Sequence, residues 1–505
     1  MLEKSKDIQQ PQVGMNEKSS YRSIFKATSL FGGVQVYQIL MEIIRSKFIA
    51  VLLGPAGVGI QGLYTSATQL IQHLTSFGLS SSAVRNVAEA NGSGDQTRMS
   101  KVVYALRRLV WITGLLGMVA VMFFSPLLSK TSFGDSVHII PFIVISVTLL
   151  LAQLSAGQNV ILQGTRKLKW LARSSAIGAT LGVLISVPLY YWLGVKGIVP
   201  NIVITAITTL LLSWYFSRKV EIKKISISNK EVFDIGKSMM IMGIAMSLSH
   251  LLSFASSYVI RAYIRFLDGV EAVGLYSAGF LLMGQYTGLV FKAMGTDFYP
   301  RLSSVNQDNV KCRHLMNQQG EIGLLILAPL LVICIVFIPY VVKILYSEAF
   351  LAIEAYMVWC SLGMLFKMAS WAISYAFVAK GESRLFIIIE SVNAVYKLFL
   401  SLMGYKIGGL TGLGVAFTIS YLLYMIIVYT IAKKRYGFGF NTSFIKIFLF
   451  QFLLLSICIG GVVILPTIWK YIVGSLIIVL AGFYSLSELN KRLELKAVVN
   501  KFKKK

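Results

Sequence analysis

Val58-Gly-Ile-Gln-Gly-Leu-Tyr64-Thr-Ser66 opens one long apolar run of this chain, and Ala272-Val-Gly-Leu-Tyr276-Ser-Ala278 opens another. The two Gly-Leu-Tyr units lie 212 residues apart. Two more echoes have nearly the same spacing. Gln163-Gly-Thr-Arg166 corresponds to Lys380-Gly-Glu-Ser-Arg384, and Gly197-Ile-Val corresponds to Gly412-Leu-Gly-Val at an offset of 215. A repeat of this length takes in six apolar runs per copy. An even number of membrane crossings per copy makes the copies parallel, related by an axis along the membrane normal.

The composition agrees with a membrane. Of 505 residues 56% are hydrophobic and only 14% charged, with a mean hydropathy of +0.71. Soluble domains carry about 25% charged residues, and apolar runs of about 20 residues are what a bilayer core about 30 Å thick requires. Lipid leaves only helices or closed barrels as spanning structures, and the ten-residue alternation of a barrel is missing. The expectation is an all-α integral membrane protein of about 14 transmembrane helices. It comprises two parallel-repeat six-helix lobes around a central cavity plus two C-terminal helices. The divisions expected are a tail at 1–26, an N-lobe at 27–217, a linker at 218–236, a C-lobe at 237–432, extra helices within 433–487 and a basic tail at 488–505.

The 48 Lys and Arg against 21 Asp and Glu are sorted along the chain. Most occupy the termini and every second loop, as in Arg85–Arg108, Arg166–Arg173, Arg218–Lys237 and Lys433–Lys446. The positive-inside rule then puts both termini in the cytoplasm. Charge scattered over short loops suits anionic lipid headgroups and argues against nucleic acid. The polar first 26 residues lack an early apolar core, so they read as a cytoplasmic tail rather than a signal peptide. Cys312, Cys334, Cys360 and Cys458 stand alone, without metal-ligand or disulfide spacing. No metal or cofactor is implied.

Gly57-Val-Gly-Ile-Gln-Gly62 satisfies the dinucleotide pattern G-x-G-x-x-G, but no βαβ unit surrounds it and position 82 is Ser where an acid is needed. Small residues for close helix packing are the better reading. No Walker A sequence is present.

Ionisable residues at membrane depth cost about 2.5–3.5 kcal/mol on insertion scales and normally face a cavity or a partner. Here they gather in the first two spans of each repeat. Glu42 and Arg45 lie three apart in span one, extended by Gln35 and Gln38. Span two holds Gln69, Gln72 and His73, then Arg85 at its end. Span seven holds His250 and Arg261, and span eight holds Gln285, Lys292 and Asp297. A cavity built from these spans is net cationic and attracts an anion, most strongly where the dielectric is low. Arg45, Arg85, Arg261 and Lys292 are the candidate anion ligands. Gln69, Gln72, His73 and Gln285 are candidates for hydrogen bonds to a polar cargo, and Glu42, His250 and Asp297 for coupling to H⁺ or Na⁺. Ion pairing, snorkelling to headgroups and packing are the structural alternatives at each. Lys367, and Glu390, Asn393 and Lys397 on one face of span eleven, form a second polar group, for which pairing of the lysines with Glu390 and a functional role stand as equal readings.

Three segments carry a family resemblance: Leu53-Gly-Pro-Ala-Gly-Val-Gly59 with Gln69–Leu79, Gln163-Gly-Thr-Arg166, and Phe291-Lys-Ala-Met-Gly-Thr-Asp-Phe-Tyr-Pro-Arg301. From about Ser29 to Arg435 the chain resembles the multidrug/oligosaccharidyl-lipid/polysaccharide exporter superfamily, and within it the Wzx-type O-antigen translocases. The resemblance implies a V-shaped cavity lined by spans one, two, seven and eight, and alternating access without ATP. It also implies flipping of an undecaprenyl-pyrophosphate-linked oligosaccharide across a bacterial inner membrane, with Gln69, Gln72, His73 and Gln285 as the candidates for its sugar hydroxyls and polysaccharide polymerase and chain-length proteins as partners. A lipid II flippase and a drug/cation antiporter of the same superfamily are the alternatives. The short loops argue against a membrane glycosyltransferase or polymerase.

Overall fold

In the computed structural model, which describes residues 17–223 and 225–493 with scattered side chains left out, every regular element among the described residues is helical. The elements used below are α1 (Glu17–Thr75), α2 (Leu79–Gly92), α3 (Gln96–Phe133), α4 (Ile139–Gly164), α5 (Leu168–Leu193), α6 (Ile198–Ser217) and α7 (Asn229–Ser304). They continue with α8 (Asn309–Val336), α9 (Ile338–Leu345), α10 (Glu354–Ala379), α11 (Ser383–Tyr436), α12 (Thr442–Ile464) and α13 (Thr467–Leu493).

Ten helical stretches are long and apolar enough to cross a membrane. Four of them are broken within, and each makes two crossings. α1 breaks at Gly54 (φ 65°, ψ −169°), α7 at Gly269 (φ 81°, ψ −173°), and α11 at Gly408 and Gly409. The stretch Leu168–Ser217 breaks at Gly194 (φ 55°, ψ −136°). A positive φ is the conformation glycine adopts without a Cβ clash. The reversals are closed by side chains that a straight helix would hold far apart. Arg261 Nε donates to Ser277 Oγ at 3.2 Å, although 16 residues of straight helix span about 24 Å. Ser186 donates to Asn201 Oδ1 at 2.9 Å, and the Tyr396 hydroxyl to the Ser420 carbonyl at 3.2 Å. Doubling these four stretches gives the fourteen crossings expected.

The repeat is written in the backbone more sharply than in the sequence. Gly54 and Gly269 share one conformation 215 residues apart, and Gly194 matches Gly409 (φ 54°, ψ −137°) at the same offset. A third pair at 215 is Arg166 (φ 55°) and Gly381 (φ 78°). The structural equivalent of Gly381 is thus Arg166, a correction to the sequence pairing with Gly164. Helix starts repeat too. Asp95 accepts from the Thr97 and Arg98 amides at 2.8 and 3.1 Å, and Asp308 from the Val310 and Lys311 amides at 3.0 Å each. These N-caps satisfy amides that have no partner within the helix.

Two boundaries differ from expectation. The second span ends early, because Phe77 and Gly78 both take positive φ and α2 starts a new amphipathic helix at Leu79. α7 begins at Asn229, inside the expected linker, where Ser228 and Glu231 form a reciprocal capping box.

Large apolar side chains such as Phe123, Trp192, Ile407 and Phe483 stand about three-quarters exposed around the bundle. A patch of that extent would cause aggregation in water and is the surface a bilayer solvates. The chain is a multi-pass membrane protein. The loops around 93–95, 165–167, 218–223, 305–308, 380–382 and 437–441 each follow an even number of crossings and so fall on one face, called here the basic face.

Candidate functional site

The two halves meet along the second arm of α1, from Pro55 to Thr75, and α7. Glycine sets the contact at both ends. A Cβ on Gly274 would sit 1.9 Å from the Pro55 carbonyl oxygen, and one on Gly78 2.1 Å from that of Gly243. Small residues let helix backbones approach this closely. Between these points His73 stacks on Phe254 with ring centroids 3.9 Å apart. On the basic face Lys101 pairs with Glu231 at 2.7 Å, tying α3 to α7. The carboxyl of Glu231 is held below its usual range, chiefly by that ammonium.

A cavity of about 480 Å³ opens between the halves. Its walls are polar stripes at helical spacing, which places their members on single faces: Glu42 and Ser46; Gln61, Thr65 and Gln69; Ser253, Ser257 and Arg261. Glu42 and Gln69 would be about 40 Å apart on a straight helix, so the Gly54 reversal is what brings them to one chamber. The Arg261 guanidinium is the chamber's fixed cation. Its Nε donates to Ser277 Oγ at 3.2 Å and its Nη1 donates to the Ser257 carbonyl at 3.1 Å and to the Ser257 hydroxyl. The rings of Tyr276 and Phe280 lie 5.4 and 5.7 Å from it. Among the described residues no carboxylate reaches ion-pair distance of Arg261. Gly62 leaves room for the Ser277 hydroxyl that holds it, since a Cβ there would lie 2.9 Å from Ser277 Oγ.

Beside this chamber a second, more open space of about 510 Å³ separates the first arm of α1 from the second arm of α7. Gln35, Gln38, Glu42, Gly284, Gly288 and Lys292 line it. Lys292 Nζ donates to Gln35 Oε1 at 2.6 Å across the gap. Gly284 and Gly288 have open space where a Cβ would be.

The sequence candidates divide accordingly. Arg261, Glu42 and Gln69 share the chamber, and Lys292 lies in the adjoining gap. Arg45 does not line the chamber. Its guanidinium turns to the Tyr190 hydroxyl, inside a buried cluster in which Asn201 Nδ2 donates to that hydroxyl at 2.6 Å. The expectation that Arg45 faces the chamber is corrected: it lies on the same side of α1 as Glu42, but the Tyr190–Asn201 cluster takes its guanidinium and it is absent from the chamber's lining. Arg85 is likewise away from the chamber, exposed on α2 and paired with Glu89 at 2.7 Å. His73 is occupied in stacking, and Gln72 does not line the chamber. The side chains of His250, Gln285 and Asp297 lie outside the described residues. Lys367 and Lys397 do not pair with Glu390. They sit over aromatic rings, both near Tyr421, while Tyr424 donates to Glu390. Gln61, whose Oε1 is buried without a hydrogen bond, and the serines at 253, 257 and 277 were not singled out in the sequence. The four-residue spacing of Gln61 and Thr65 ahead of Gln69, and of Ser253 and Ser257 ahead of Arg261, is the signal that marks all but Ser277.

Among solved structures, an inward-facing multidrug resistance MATE family transporter of the MOP superfamily superposes with a TM-score of 0.66 at 16% identity, covering 79% of this chain and 94% of that one. The lipid II flippase MurJ in an inward closed conformation gives 0.63 at 15% identity, covering 93% and 99%. At these identities the likeness is one of fold. Stage V sporulation protein B of Bacillus subtilis (strain 168) is 22% identical over 156 residues, and the match spans 31% of this chain and 30% of that relative's length. Residues 24–306, more than half of the chain and the part that builds the chamber's walls, match the polysaccharide biosynthesis protein family, to which the chain belongs.

Proposed function

We propose that the chain is a flippase. It moves an undecaprenyl-pyrophosphate-linked oligosaccharide, an O-antigen or similar surface-polysaccharide unit, from the cytoplasmic to the periplasmic leaflet by alternating access. The observation that carries this reading is Arg261: a guanidinium held by serine oxygens in a chamber between the halves, with no carboxylate among the described residues at ion-pair distance. A planar fork of donors in a partly dry space suits pyrophosphate oxygens. Lys292 adds charge at the neighbouring gap. That gap, bordered by Gly284 and Gly288, suits a polyprenyl tail that stays in lipid while the headgroup enters. Gln61 and Gln69 offer amides to the first sugar. In this reading the basic face is cytoplasmic, and Glu42 is the described candidate to carry a coupling H⁺ or Na⁺.

The test is Arg261→Ala at normal membrane abundance in a host lacking its own O-unit translocase. Loss of surface glycan is expected, and undiminished glycan overturns the chamber model. Rescue instead of a lipid II flippase-depleted host would move the cargo to lipid II. Ethidium efflux abolished by Glu42→Gln would favour cation antiport.

A further inference from the structure

We infer that the second half holds a separate sugar-binding pocket, enclosed by α10, α11 and the basic-face end of α7; this rests on the flippase reading above. A cavity of about 490 Å³ lies there, lined by Trp371, Tyr375, Tyr299 and Tyr421 and by the polar side chains of Lys367, Glu390 and Asn393. Its size falls in the range of small-molecule sites. Trp371 and Tyr375 form a continuous aromatic wall, with centroids 4.8 Å apart, backed by Phe298. Gly295 makes room for that wall: a Cβ there would lie 3.1 Å from the Tyr375 hydroxyl and 3.3 Å from the Trp371 ring.

The lining chemistry selects a class of ligand. Glu390 and Lys367 bring one charge of each sign and no ion pair joins them, so the pocket favours neither an anion nor a cation. Glu390 accepts from Tyr424, and Lys367 lies 5.0 Å from the Phe291 ring and 5.4 Å from that of Tyr421. The Asn393 amide makes no hydrogen bond among the described residues, although it lines the cavity. Polar groups at these positions are costly against a hydrocarbon tail. A pyranose matches them. Its C–H faces meet the electron-rich faces of Trp371 and Tyr375, and its hydroxyls pair with Asn393, Glu390 and Lys367.

Its position gives it a task. Phe291 contacts Lys367 on one side of α7, while its neighbour Lys292 reaches Gln35 on another. The second arm of α7 therefore stands between pocket and gap, and the pocket receives a neutral sugar distal to the pyrophosphate as the headgroup is loaded from the basic face.

The test compares two cargoes in a translocase-deleted host: its complete undecaprenyl-pyrophosphate oligosaccharide, and the same lipid truncated to one sugar. Trp371→Ala and Asn393→Ala, at wild-type abundance and melting temperature, are expected to lower export of the complete unit about tenfold and to leave the one-sugar lipid within twofold. Trp371→Phe, which keeps a stacking face, retains both. Equal loss of both cargoes, or loss of neither, overturns the pocket. Export of neither cargo by the wild type overturns the flippase reading instead.

Discussion

The Lys47 ammonium, from the first half, donates to the Lys343 carbonyl at 2.8 Å and also to the Tyr346 carbonyl, capping the C-terminal end of α9 in the second half. Carbonyls at a helix end lack intrahelical partners and carry partial negative charge, so the contact is a charged latch across the interface. Tyr346 itself borders the Arg261 chamber. The latch lies on the face opposite the basic one.

Lys47→Met is expected to loosen that face. With Ile49, a buried chamber residue, replaced by Cys, a membrane-impermeant maleimide applied from that side should label the Lys47→Met background several-fold faster. Equal labelling would show that closure rests on the glycine contacts alone.

Arg45 and Arg261 should fail differently. Arg45 serves the Tyr190–Asn201 cluster, so Arg45→Gln is expected to lower thermal stability by about 1–3 kcal/mol through stranded polar groups. Arg261→Gln should abolish export at unchanged membrane abundance. Arg261→Lys, which keeps charge without the fork, should fall between the wild type and Arg261→Gln in export. Normal stability in Arg45→Gln would contradict the division of roles.

The capping carboxylates give a pH signature. The Lys311 amide first, with Val310, holds the Asp308 carboxyl below its usual range, and the Arg98 and Thr97 amides do the same for Asp95. A depressed folded-state pKa means that the stabilisation is complete above the unfolded value of about 3.9 and is lost as pH falls through the folded value. The deficit of Asp308→Ala against wild type, followed by thermal melts, should therefore be constant near neutrality and shrink below about pH 4. A deficit independent of pH would mean that the cap acts without its charge.

Arg166 occupies a left-handed backbone where the other half has Gly381. A non-glycine residue there costs roughly 1–2 kcal/mol, offset in part by the extra freedom of glycine in the unfolded chain. Arg166→Gly is expected to raise the melting temperature slightly. A fall would show that the side chain is held by contacts worth more than the strain.

Spans, repeat and chemistry were legible to different depths. Hydropathy located the crossings because a bilayer demands apolar length. Loop charge and the Gly-Leu-Tyr echo marked the duplication, although only backbone angles could align Arg166 with Gly381. Arg261 and Gln69 stood out because ionisable and amide groups are costly in lipid. Ser253, Ser257 and Ser277 did not, since a hydroxyl satisfies itself on a helix carbonyl and leaves no trace in composition. Arg45 was misjudged because a span's apolar length says nothing of its rotation. That rotation is set by packing on α5, which no local pattern records.

The glycine seam between the second arm of α1 and α7 has a consequence for traffic in the plane of the membrane. One flank is sutured by Gly59, Gly78, Gly243 and Gly274, while the gap at Gly284 and Gly288 lies on the other. The molecule thus has a front and a back. On the flippase reading a tailed cargo would enter along that one side, and a neighbour pressed against it would idle the machine without touching its chamber.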